Sequence, residues 1–191
     1  MRKFAMAIFA IMSIALSATT AQAILYNVDQ TIGIGGVTGT ISTDGTIGIL
    51  GNGNISDWNL VLDDGVSTFN LLGDGSGGDN SNVLVIGGNF SATATDLLFN
   101  FDGAGFALFQ NPDTGSGINF WCLEGTFACD VTPNTQSVGL QAATLVAAQA
   151  GIVTIGSVGR NIAVSEPGTL ALLSVGLLGM GIARVRRRKF T

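Results

Sequence analysis

Along ISDWNLVL the side chains alternate, with Trp58, Leu60 and Leu62 on one face of an extended strand and Asp57, Asn59 and Val61 on the other. This period of two predicts a strand with its Trp58 face turned inward, and Ile55 falls in register with the outward set. TATDLLFNFDG repeats the pattern, placing Leu97, Phe99 and Phe101 on a shared face. NVLVIGGNFS, FALFQN and INFWCLE read as further strands. Asp102-Gly103-Ala104-Gly105 marks a turn, and GIVTIGSVGRNIAV reads as a last hairpin around residues 157–159. In TIGIGGVTGTISTDGTIGIL, Asp44-Gly45 lies between two β-branched runs and predicts a hairpin turning there. SVGLQAATLVAAQA is the exception. Its Ala, Gln and Leu content predicts a short helix of about three turns, with an irregular strand as the alternative. No βαβ alternation appears. The expected fold is all-β, an antiparallel sandwich or jelly roll of about 9 to 11 short strands. A β-solenoid ranks second, because no fixed period recurs three times.

The two ends follow a different pattern. Residues 1–23, MRKFAMAIFAIMSIALSATTAQA, have the parts of a signal peptide, which would form an N-terminal signal helix. Arg2 and Lys3 are its positive region, residues 4–16 its apolar region, and Ala21-Gln22-Ala23 its small-residue cleavage site. Cleavage is expected after Ala23. At the other end, residues 169–183, TLALLSVGLLGMGIA, carry no charge and have no polar face. They predict a short transmembrane helix at the lower limit of spanning length. Arg184, Arg186, Arg187, Arg188 and Lys189 follow, and such a cluster holds its end of a helix in the cytoplasm.

Ser165, Glu166, Pro167 and Gly168, then the apolar run, then the basic cluster in residues 184–191, resemble the PEP-CTERM sorting signal of exported proteins in Gram-negative bacteria that make exopolysaccharide. The resemblance implies processing by exosortase near Glu166-Pro167, after a period in the inner membrane, and delivery to the cell surface or surrounding matrix. One position departs from the family pattern, since Ser165 stands where the first proline is usual. The region between, residues 24–164, is similar to an uncharacterised class of PEP-CTERM proteins through VTGTISTDGTIGIL, ISDWNLVL, TATDLLFNF and INFWCL. No activity comes with that class.

Charge sharpens the picture once the two ends are set aside. Residues 24–164 keep a single basic residue, Arg160, against twelve acids, a net charge of about −11. Such a surface repels phosphate backbones, so nucleic acid is excluded as a partner. The region has no His and no Lys. Ser-His-Asp and Cys-His catalysis, a histidine metal site and a Schiff-base lysine are therefore all excluded for it. Two carboxylates acting as acid and base remain, with Glu124 buried against Trp121 and Asp130 nearby as the pair to consider. The competing reading makes Glu124 an exposed loop residue between two cysteines.

Those cysteines, Cys122 and Cys129, are the only two in an exported chain, which predicts a disulfide. LLGDGSGGDNSNVLV gathers Asp74, Asp79 and Asn80 on a Gly-rich loop, with Asp63 and Asp64 one hairpin earlier. Hard oxygen ligands in that setting suit a weak Ca²⁺ site, and otherwise no cofactor is expected. The alternative is a polar turn that these residues favour by backbone chemistry alone. Trp58 and Trp121 are read as core, with a sugar-stacking platform as the alternative. Together these features predict a non-catalytic surface or matrix protein associated with exopolysaccharide or biofilm. The alternative is a carbohydrate-binding module or weak glycoside hydrolase acting on that polysaccharide.

Overall fold

Two flexible glycine positions start the architecture. The first strand, β1 (Ile24–Ile32), folds back on β2 (Gly35–Thr43) through a two-residue loop of Gly33 and Ile34, and Gly33 sits at φ +62°. A two-residue hairpin needs this left-handed backbone, which glycine adopts without a Cβ penalty. Deeper in β2, Gly39 at φ +134° lies so close to the neighbouring strand that a Cβ would meet the Asn59 carbonyl oxygen at 2.0 Å.

The structure, a computed structural model, describes residues 22–111, 118–126, 132–141 and 143–159. Beyond β2 the strands are β3 (Gly48–Ile49), β4 (Ile55–Asp63), β5 (Thr68–Leu72), β6 (Asn82–Gly87), β7 (Phe90–Ala92), β8 (Asp96–Asn100) and β9 (Gly105–Asn111). They continue with β10 (Asn119–Glu124), β11 (Thr135–Leu140), β12 (Ala143–Ala148) and β13 (Ile152–Ser157). Two 3-10 turns, Asn52–Asn54 and Asp74–Ser76, are the helical elements among the described residues.

Eight strands form one sheet in the order β3-β7-β8-β13-β1-β2-β4-β5, and five form a second in the order β12-β11-β10-β9-β6. Every pairing is antiparallel. The molecule is therefore all-β and a sandwich, as the alternation predicts, and its pairing excludes the solenoid alternative for the described residues. The thirteen strands among the described residues exceed the expected 9 to 11 because short pieces such as β3 and β7 leave little trace in a periodic pattern. The last strand, β13, inserts between β1 and β8, so the first and last described strands lie side by side.

The predicted core faces point inward. Trp58, Leu60 and Leu62 from β4 and Leu97, Phe99 and Phe101 from the β8 region are all buried. Trp58 packs edge-on against Phe109 at 5.7 Å, and Phe109 stacks on Trp121 at 5.5 Å, so an aromatic chain bridges the two sheets. A second group joins Phe90, Phe99 and Phe101. The Trp58 indole N–H donates to Ser81 Oγ at 2.8 Å, and that hydroxyl donates to the Leu72 carbonyl at 2.9 Å. Ile55 is buried on the same side as Trp58, against strict alternation. The register shifts between Ser42 and Thr43, so Thr43 faces Ile55 while Ser42 faces Asp57, and this bulge turns Ile55 inward.

Two expected elements are corrected. Asp44-Gly45 is a turn, with Gly45 at φ +89° and the Asp44 carboxylate accepting from the Thr46 N–H at 2.9 Å, but it closes no hairpin. Strand β3 pairs with β7, and β2 takes β1 and β4 as its neighbours. The expected helix in SVGLQAATLVAAQA is instead the β11–β12 hairpin, with Leu140 opposite Ala143. Val138 and Leu140 are buried and Leu145 and Ala147 pack against the core, so period-two burial against the facing sheet overrides the helix propensity of Ala and Gln. Residues 1–21 of the signal segment, the second arm of the hairpin expected around residues 157–159, and the tail 165–191 lie outside the described residues. Among those that are described, no helix is long and apolar enough to cross a membrane.

Candidate functional site

The acidic loop after β5 is built by its own hydrogen bonds. Asp57 on β4 accepts from the Gly75 N–H at 3.1 Å and from Ser76 Oγ at 2.7 Å, pinning the Asp74–Ser76 turn to the sheet. Asn80 accepts from the Leu72 N–H at 2.8 Å and donates to the Asn70 carbonyl at 3.0 Å. Of the three residues considered for Ca²⁺, Asn80 thus spends its amide closing the loop, and Asp79 takes a left-handed backbone at φ +32°. No group of three or more acidic, His or Cys side chains among the described residues is placed to hold a metal ion. The hydrogen bonds of Asp57 and Asn80 are of the kind by which such residues build a polar turn.

Of the carboxylate pair considered from the sequence, the structure describes Glu124 alone. Glu124 ends β10 fully buried, which overturns the exposed-loop reading. It lies three residues from Trp121, and side chains an odd number apart on a strand point to opposite faces, so it is not set against that ring. Asp130 lies outside the described residues. Trp121 is fully buried and Trp58 nearly so, which removes the sugar-stacking platform those two rings would have formed. Cys122 is fully buried in β10, opposite Leu108 on one side and Ser137 on the other. Its expected partner Cys129 lies outside the described residues.

A cavity of about 410 Å³ opens where the β4–β5 turn of one sheet faces the β11–β12 turn of the other. The first turn contributes Asp64, Ser67 and Phe69, and the second sheet contributes Asn119, Leu140 and Gln141. Asp64 is held rigidly: Oδ1 accepts from the Ser67 N–H at 2.7 Å and the Val66 N–H at 2.9 Å. These backbone N–H groups, that of Ser67 foremost, hold its carboxyl below the usual carboxylate range. It is ionised at neutral pH. Its Oδ2 meets only the Ser67 hydroxyl, at 3.3 Å. Asn119, at the start of β10, is 7% exposed and lines the cavity. Gln141 occupies the tight β11–β12 turn at φ +50°, a backbone that costs a residue other than glycine about 1 kcal/mol.

The sequence reading reached Asp64 only as a neighbour of the acidic loop and missed Asn119, Gln141 and Phe69. They come from two sheets and are separated by long stretches of chain, and no short-range pattern brings them together.

Comparison with known families finds the PEP-CTERM protein-sorting motif at residues 163–188. This span takes in Ser165, Glu166, Pro167, Gly168, the apolar run and the first four basic residues of the cluster. The chain carries a PEP-CTERM sorting signal, consistent with an exported exosortase substrate. No curated protein and no solved structure matches the chain significantly.

Proposed function

We propose that this chain is an exported, non-catalytic protein of the cell surface or extracellular matrix, associated with exopolysaccharide or biofilm. The tail holds it in the inner membrane until exosortase cuts near Glu166-Pro167 and releases residues 24–164 as the mature β-domain. The observation that carries this reading is the sorting motif at residues 163–188. The positive cluster keeps the C-terminal end in the cytoplasm, and a run of about 15 apolar residues is short of the 20 or so of a comfortable span. A provisional anchor suits a precursor that is held only until it is cut.

A non-catalytic role is supported by the absence of His and Lys from residues 24–164. It is supported also by the cavity, whose lining among the described residues includes one carboxylate, Asp64, where a glycosidase needs two across a cleft. The binding half of the alternative has a specific observation in its favour, the cavity itself, taken up below.

Replacing Arg186, Arg187 and Arg188 together with neutral residues tests the sorting role. The variant is expected to show impaired retention and processing in membrane and surface fractions. Normal cutting and release of the variant would contradict it.

A further inference from the structure

We infer that the cavity between the β4–β5 and β11–β12 turns binds a neutral saccharide residue. Its size, about 410 Å³, falls within the range of small-molecule sites. The chemistry of its wall then narrows the ligand class.

The described residues contain no Lys, Arg or His, so none of them offers a cationic side chain to hold an anion. Among the described residues of the wall the one charge is the Asp64 carboxylate, which disfavours phosphates, sulfates and uronic acids. An ammonium ligand would satisfy Asp64 but not the rest, because it only donates, while the Asn119 and Gln141 amides each bring two donors as well as an acceptor. A sugar hydroxyl donates and accepts at once and matches this mixed set. Phe69, Leu140 and Ala143 offer apolar surface for the C–H face of a pyranose ring.

Two features suit a ligand at this place. Asn119 is more than nine-tenths buried yet lines the cavity. A ligand hydroxyl there can both donate to and accept from its amide. Gln141 holds a left-handed backbone in a turn where Gly would sit without strain, yet its side chain lies on the cavity wall. Strain retained at such a position points to what the side chain does.

The proposal names a partner for the surface protein described above, and it draws on that reading only for the source of the saccharide. Binding by purified protein is measured without sorting, and sorting is measured without ligand, so each can fail alone. The test uses the full chain, purified in a detergent that has no sugar headgroup. Ligand-observed NMR titration compares methyl glycosides of neutral hexoses with glucuronate and glucosamine. At least one neutral glycoside is expected to bind more tightly than either charged sugar.

Asn119→Leu and Gln141→Gly are each expected to weaken that binding about tenfold, the loss of one good hydrogen bond to a buried group. Gln141→Gly relieves the turn, so its melting temperature should equal or exceed that of the unaltered protein while binding falls. A merely structural role for Gln141 cannot produce that split. No binding of any neutral glycoside at tens of millimolar, tighter binding of a charged sugar, or unchanged binding in either variant overturns the assignment.

Discussion

Gln136 is the residue whose position is hardest to justify by packing. It sits on the core face of β11, opposite Leu123 and Ala147, fully buried, and both polar atoms of its amide lack a partner among the described residues. Leaving a buried amide unsatisfied costs about 1–3 kcal/mol, whereas Leu fills a similar volume with no polar debt. Gln136→Leu is therefore expected to raise stability by about 1 kcal/mol or more, measured by urea unfolding. A clear loss of stability would show that the amide is paired in the native protein. Cys122 lies on the opposite face of the same sheet. A bond to Cys129 closes a loop of eight residues, which in the chain-entropy account is worth about 2.5 kcal/mol before strain. Thiol labelling of unreduced, denatured mature protein should find no free cysteine, and two labelled thiols per chain would rule the bond out.

At the level of elements, the β4–β5 turn carries a pH dependence with a definite sign. The Asp64 carboxyl is held below its ordinary range by the Ser67 and Val66 N–H groups, so the folded state favours the ionised form. A carboxylate depressed on folding contributes stability in full above its unfolded value, and this contribution is lost as pH falls through the folded one. The stability advantage of the unaltered chain over Asp64→Asn should therefore hold from neutral pH to about pH 4 and shrink below it. An advantage that persists unchanged to pH 2 would contradict the account.

Elements also show where the sequence was legible. The faces of β4 and β8 were readable because alternation with large apolar side chains has one cheap solution, burial on one side. Asp44-Gly45 was readable as a turn and not as to what it joins, since turn chemistry is local and strand pairing is not. The β11–β12 hairpin was hidden by its composition: Ala and Gln favour a helix in isolation, and only the facing sheet makes the extended form better. Asn119 and Gln141 gave no sign at all, because β10–β11 pairing brings them together and they face Asp64 only once the two sheets have packed.

Across the whole molecule, charge is divided between the β-domain and the two ends. Residues 24–164 carry about −11, while seven of the eight basic residues lie in the first 23 and the last eight positions. The C-terminal sorting signal was legible from its own run of apolar and charged residues. The domain between the two ends shows its cavity only in three dimensions. Removal of both ends would leave an acidic sandwich with a single arginine, a surface that repels nucleic acid. The central claim is that this chain is an exported precursor trimmed at its sorting signal. The intact mass of the protein recovered from the cell surface or surrounding matrix tests it most directly. The expected species begins at Ile24 and ends near Glu166-Pro167, without residues 169–191. Surface material that still begins at Met1, or still carries Arg184 and the residues after it, would contradict the account.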